Sequence, residues 1–190
     1  MSEDHFHVHG PHDHEVEHQA HSGDSFAGRI AVTTAILATL GALMSYMGGA
    51  TQNDALLWKN EAAIKKTESS DQWNFYQAKS NKQNLAELGM TLVTGDAQER
   101  YRSEAKRYSE EKKEIQKKAE ALEKEAQDAN ARSEASMHTH HRWAQAMTLM
   151  QVAIALAAIT LLTRKTWMQW GVYGCAAAGI AVAGFAVAHL

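Results

Sequence analysis

Residues 143–163 read WAQAMTLMQVAIALAAITLLT and contain no Asp, Glu, Lys or Arg. About 20 consecutive, mostly apolar residues are what a helix needs to cross a hydrocarbon core about 30 Å thick. A helix of a soluble core would keep one polar face, whereas residues 151–162 are apolar on every side. Moving outward, the same pattern occurs twice more. Residues 30–47 and 167–188 meet or approach this length. Tyr46, Trp143, Trp167, Trp170 and Tyr173 stand near the ends of these stretches, where amphipathic rings favour the membrane interface. The sequence therefore predicts three transmembrane helices, at 26–49, 143–163 and 166–190.

Averages over the whole chain conceal this. Its 190 residues are 45% hydrophobic and 22% charged, with a net charge of -3 and a mean hydropathy of -0.41. Those are the values of an ordinary soluble domain. The charges, however, are segregated. Of the 19 basic and 22 acidic residues, seven fall in 1–29, 32 in 50–142, and the remaining two are Arg164 and Lys165. A single cysteine (Cys175) and a single proline (Pro11) exclude disulfide-rich and collagen-like classes. Basic residues do not outnumber acidic ones, which argues against a nucleic-acid partner. A cleaved signal peptide is the rival reading of the first span, with Gly48-Gly49-Ala50 as its small-residue site. The acidic leader, without Lys or Arg before Arg29, speaks against it.

Three spans put the N-terminal tail and the Arg164-Lys165 loop on one side, and region 50–142 with the C-terminus on the other. Arg29, Arg164 and Lys165 lie tight against span ends, so the positive-inside rule makes their side cytoplasmic and region 50–142 periplasmic. Lys59 and Arg142 narrow the margin from the other side.

Region 50–142 has no proline. Gly48-Gly49 reads as the end of the first span, and Thr51-x-x-Asp54 as a fresh helix start. Thr94-Gly95-Asp96 is the strong turn signal, with Asp96-x-x-Glu99 as the next cap. Two helices follow, about 52–93 and about 97–142, roughly 63 Å and 69 Å long at 1.5 Å per residue. The second is expected to run unbroken into Trp143. The fold class is thus all-α: three transmembrane helices with a long antiparallel coiled-coil hairpin inserted between spans 1 and 2, after a His-rich acidic tail at 1–25.

The second hairpin helix carries a 4-3 spacing: Tyr101, Ala105, Tyr108, Lys112, Ile115, Ala119, Leu122, Ala126, Ala129, Ser133. Such a seam specifies coiled-coil packing, and its alanines permit close approach. The first hairpin helix offers Trp58, Ile64, Trp73, Phe75, Tyr76, Leu85 and Leu88. Trp73 and Tyr76 share a face, but Phe75 points about 200° away from Trp73. One partner helix cannot cover both faces, so Trp73, Phe75 and Tyr76 are candidate interface residues for a second protomer. In the third span, Gly171, Cys175, Gly179 and Ala183 form a small-residue row for close helix packing. Thr34, Ala38 and Ala42 of the first span are its candidate mate, and Gln145, Thr148, Gln151 and Thr160 are candidates for interhelical hydrogen bonds.

Chemistry is concentrated in histidines. His5, His7, His9, His12, His14, His18 and His21 are interleaved with Asp4, Asp13, Glu15 and Glu17, a donor set suited to Zn²⁺, Ni²⁺, Cu²⁺ or Co²⁺. A tail of this kind would buffer or sense a metal, because a catalytic site needs a held, open position. His138, His140 and His141 form a second cluster, with His189 on the same predicted membrane face. For these, interfacial anchoring is favoured over metal binding. Within the spans there is no ionisable residue but His189 at the end, which argues against a proton or ion pathway. No phosphate-binding glycine loop and no nucleophile triad in its motif context is present. The chain reads as a non-enzyme with no evident small-molecule substrate.

Two stretches carry a family resemblance. Asn60-Glu61-Ala62 followed by DQWNFYQAKS at 71–80, and QVAIALAAITLLTRK at 151–165, resemble the bacterial domain-of-unknown-function family 4337. The resemblance covers about residues 26–190. It implies a multi-pass protein of the inner membrane of a Gram-negative bacterium, and it carries no activity and no functional residues. The His-rich tail falls outside it. Two functions are expected from the residues themselves. The first is an oligomeric scaffold or accessory subunit of a membrane complex, embedded in the lipid bilayer and presenting the hairpin to a partner. The alternative is a metal-binding or metal-responsive membrane protein acting through the tail.

Overall fold

A computed structural model describes residues 25–188 of the chain. These residues form three helices and no strand: α1 (Ser25–Leu92), α2 (Asp96–Thr163) and α3 (Met168–Val187). Each contains a stretch long and apolar enough to cross a membrane. The turn between α1 and α2 falls at the expected place. Gly95 has φ 72°, in the left-handed region that glycine enters without a Cβ penalty. The Glu99 N–H donates to the Gly95 carbonyl (3.3 Å), and the Gln98 amide reaches back to the Met90 carbonyl (3.0 Å). Asp96 and Glu99 sit in the first turn of α2, where negative charge complements the helix dipole. Gly95→Val should therefore lower stability by about 1–2 kcal/mol, read as a drop in the denaturation midpoint of the full-length protein. Gly95→Asn, which tolerates the left-handed region, should recover most of it.

The helix break expected at Gly48-Gly49 does not occur: α1 passes through both glycines, and Thr51 is an interior helical residue rather than a cap. Glycine costs about 1 kcal/mol in a helix relative to alanine but does not terminate one. At Gly48 α2 comes close: His140 Nδ1 lies 2.8 Å from the Gly48 carbonyl, and a Cβ there would be in ordinary contact with Trp143 Cβ at 3.5 Å. The expected continuity of α2 through Trp143 holds.

The described residues divide into two units, 25–50 with 139–188, and 51–138. In the first, one stripe of each helix is buried. The stripes are Ile30, Leu37 and Met44 of α1; Trp143, Ala146, Met150, Ala153, Ala157 and Thr160 of α2; and Val172, Ala176, Gly179, Ala183 and Ala186 of α3. Steps of three and four residues keep each stripe facing its neighbours, and small side chains let the backbones approach. Outside the stripes, Val32, Ile36, Leu43, Leu162, Ile180 and Phe185 are exposed. Such a surface suits lipid tails rather than water.

Several expectations for this unit need correction. Of the α3 row, Gly179 and Ala183 are buried and Cys175 half-buried, but Gly171 is exposed. Positions four apart drift around a helix, whereas the buried stripe alternates three and four. Gly179 packs on α2, not on the first span: a Cβ there would stand 3.2 Å from the Ala146 carbonyl oxygen. Ala38 and Ala42, the suggested mates, are exposed. Trp143 is buried in the helix packing over Gly48. Thr148 and Thr160 spend their hydroxyls on Ala144 and Leu156, carbonyls of their own helix, while Gln145 and Gln151 are exposed.

In the second unit the two helix segments run antiparallel, as the cross-pairs Lys59–Asn130, Lys66–Glu123 and Lys79–Glu111 require. Nine of the ten residues of the expected α2 seam face the pair, while Tyr101, at its start, is exposed. Ala105, Ile115, Ala119, Ala126, Ala129 and Ser133 are buried, with Tyr108, Lys112 and Leu122 half-buried. The matching α1 face is Ala55, Ala62, Ser69, Tyr76, Gln83 and Ala86. Ile64, Leu85 and Leu88, candidates by hydrophobicity, point outward.

Candidate functional site

Two serines fix how the pair slides. The Ser69 hydroxyl, fully buried on α1, donates to the Ala119 carbonyl of α2 (3.1 Å). The Ser133 hydroxyl, buried on α2, donates to the Ala55 carbonyl of α1 (2.8 Å). A buried hydroxyl without a partner costs free energy, so any slip of the seam is opposed at both points. Ala62 and Ala126 are buried midway between them.

Beyond Ser69 the seam changes character and becomes a clasp of cations and rings. Lys79, mostly shielded, binds Glu111 across the pair and lies 5.3 Å from the Phe75 ring centroid and 5.5 Å from that of Tyr108. Lys112 of α2 sits 5.3 Å over Tyr76 and donates to the Ser80 hydroxyl (3.2 Å). Arg107 stacks on Tyr108 at 4.9 Å, and Trp73 meets Tyr76 edge-to-face at 5.6 Å. Nearer the other end, Arg132 covers Trp58 at 4.7 Å. Cations over ring faces are attracted by the ring quadrupole, and Lys and Arg bring apolar stems that fill the seam. Positions that look polar in the sequence are in this way part of the packing.

The charges of the clasp are tuned by their partners. The hydrogen bond from Lys79 holds the Glu111 carboxyl below the usual carboxylate range, and Lys66 does the same for Glu123. Glu125 and then Glu68 raise Lys65. A carboxylate with a lowered folded-state value stabilises the fold above its ordinary value, about 4.3. That contribution is lost as pH falls through the lowered value. Glu111→Gln should therefore flatten the acid limb of the stability profile below about pH 4. Thermal unfolding of the two proteins between pH 6 and pH 3 is the measurement, and parallel acid limbs would refute the assignment.

The structure separates the interface candidates. Trp73 and Tyr76 are half-buried within the pair, whereas Phe75 is 49% exposed on its outside. Of the histidines, His140 places Nδ1 2.8 Å from the Gly48 carbonyl, and its ring lies 5.8 Å from that of His141. Among the described residues no group of three or more His, Cys, Asp or Glu is placed to hold a metal ion, so His138, His140 and His141 are not gathered into one. His5, His7, His9, His12, His14, His18 and His21, with His189, lie outside the described residues. A groove of about 540 Å³ runs along the helix pair over Ala62, Ala63, Ala126 and Ala131, edged by Lys59, Lys66, Glu123 and Glu134. Its lining is alanine and solvated charge, without a convergent nucleophile or acid–base pair.

Sequence reasoning missed Ser69, Gln83 and Ala86 because they carry no apolar signal. Their signal was positional: Ser69 lies two heptads from Ala55 and one from Tyr76. Three helices with membrane-length apolar stretches and a clasped antiparallel pair are the architecture compatible with a multi-pass helical membrane protein. Residues 26–189 match the family described as a domain of unknown function (DUF4337), and the chain belongs to that family. No curated protein and no solved structure matches the chain. The quoted 71–80 stretch holds Trp73, Tyr76, Lys79 and Ser80, which all contribute to the clasp.

Proposed function

We propose that the protein is a non-enzymatic, multi-pass inner-membrane protein, an oligomeric scaffold or accessory subunit that presents a coiled-coil hairpin to a partner. In this reading the helix pair is inserted between the first and second spans. The N-terminus is cytoplasmic and the hairpin periplasmic, since Arg29, Arg164 and Lys165 flank the spans on one side. The observation that carries the reading is the clasped pair itself. Its interior is spent on holding one register, and it leaves Phe75 in solvent. A rigid arm with apolar residues on its outside is suited to docking, and nothing in it is arranged for turnover.

Purification in mild detergent followed by native mass spectrometry tests this. The expected result is a defined oligomer or a stoichiometric partner. A protein found only as a monomer would overturn it. Alkaline phosphatase fused after Gly95 should be active if the hairpin is periplasmic and silent if it is cytoplasmic.

The density of histidines in residues 5–21 favours a second role, binding of a divalent transition metal by the tail. Deleting residues 1–22 should abolish stoichiometric zinc binding and leave assembly intact. Zinc binding that survives the deletion would remove the tail from consideration.

A further inference from the structure

The buried row of α1 in the helix pair recurs every seven residues, at Ala55, Ala62, Ser69, Tyr76 and Gln83, so positions seven apart keep one face. Two residues on from each lies a second row with the same period: Leu57, Ile64, Asp71, Ala78 and Leu85, continuing to Leu92. Two residues are about 200° of helix, which puts this row on the face turned away from α2. All six residues are exposed, Leu57 at 65%, Ile64 at 53%, Leu85 at 66% and Leu92 at 74%. Phe75 and Leu88, at 49% and 56%, flank the row. Scattered surface leucines are ordinary on any protein. A heptad ladder along about 53 Å of helix is not, because its period matches one kind of surface, another helix lying alongside.

We infer that this ladder is the contact through which two copies of the chain pair, α1 against α1, parallel and in register. The inference rests on the membrane-scaffold reading, which anchors both copies in one bilayer and so gives them the same direction. The edges of the row fit a second copy. One edge is Asn60, Thr67, Asn74, Asn81 and Leu88, which carry no charge; the other is Glu61, Glu68, Phe75, Lys82 and Gly89. A two-fold axis along the helices sets each edge against the opposite edge of the partner, so no like charges meet there. It also covers Phe75 and Leu88, the exposed apolar residues on its two edges. Asp71 interrupts the ladder and meets its own counterpart, with Asn74 one turn on to donate to it. A single polar layer in a coiled-coil seam fixes register at a cost in stability.

Cysteine crosslinking of the full-length chain tests this, in phosphatidylethanolamine and phosphatidylglycerol vesicles with Cys175→Ala as background. Leu57→Cys, Ile64→Cys, Ala78→Cys and Leu85→Cys should each form dimers on mild oxidation, several-fold more than Lys66→Cys on the groove face. Ala78→Cys changes little volume and guards against a folding artefact. Asp71→Leu should raise the dimer fraction. Equal crosslinking at Lys66→Cys, or crosslinks between Leu57→Cys and Leu92→Cys chains, would overturn the parallel ladder. An oligomer by native mass spectrometry without row crosslinks would overturn the ladder while leaving the scaffold standing. A monomer would overturn both.

Discussion

Gly179→Leu should destabilise the apolar unit far more than the same change at Gly171 of α3. A Cβ at this position would stand 3.2 Å from the Ala146 carbonyl oxygen, 3.3 Å from Leu149 Cβ and 3.3 Å from Met150 Cε. Only the last of these is the end of a flexible side chain. Backbone oxygen and a Cβ cannot rotate aside, so the helices must separate to admit the remaining leucine atoms. Overpacking of this kind costs about 1–3 kcal/mol, occasionally more. Without a strong hydrophobic drive between helices in lipid, little else compensates. Thermal unfolding in detergent, followed by tryptophan fluorescence, is the readout. Gly171→Leu is the control, because a Cβ there meets only Leu156 Cδ1 at 3.8 Å and the site is exposed. Equal losses in the two variants would show that the close contact is not what holds α3.

The second large effect is expected from Ala119→Leu in the helix pair. Ala119 is fully buried, and its carbonyl receives the Ser69 hydroxyl. Three further heavy atoms have no room unless the seam opens, and opening it strands the Ser69 hydroxyl as well. The overpacking penalty of about 1–3 kcal/mol is then joined by that of an unsatisfied buried hydroxyl, about 1–3 kcal/mol. The loss should appear as a lower urea midpoint by far-ultraviolet circular dichroism. Ala121→Leu, two residues on at an exposed site, should change little. If both variants unfold at one midpoint, the serine–carbonyl seam is not the register device described.

Legibility in the sequence varied with the kind of signal each residue carries. The uncharged stretches and the α2 seam were readable because alanine, isoleucine and leucine at 3-4 spacing suit little besides the packed face of a helix. The turn at Gly95 was readable because glycine between polar residues has a backbone meaning. The α1 seam was not, since Ser69, Lys65 and Lys79 are polar residues with partners on the opposite helix, and Gln83 is a polar residue that bonds Glu87 of its own helix. Apolar residues on α1 instead pointed to its outer face, so Ile64, Leu85 and Leu88 misled. Gly48-Gly49 read as a stop because local propensity cannot register that α2 comes close at Gly48. The four-residue row on α3 drifts around the helix, from buried Ala183 and Gly179 through half-buried Cys175 to exposed Gly171. Phe75, turned away from Trp73 by angle, lies at the edge of the pair, 49% exposed with Lys79 over its ring.

The two serine bonds set a rule for the length of the arm. Ala55 and Ser69 are fourteen residues apart on α1, and Ala119 and Ser133 are fourteen apart on α2. Reach can therefore be changed only in paired steps, seven residues from each helix at facing positions, about 10 Å per step. Trimming one helix alone leaves a hydroxyl facing the wrong carbonyl. Trimming by two or five residues turns the alanine face out toward water. The pair behaves as a ruler with heptad graduations, and a version one graduation shorter should still close.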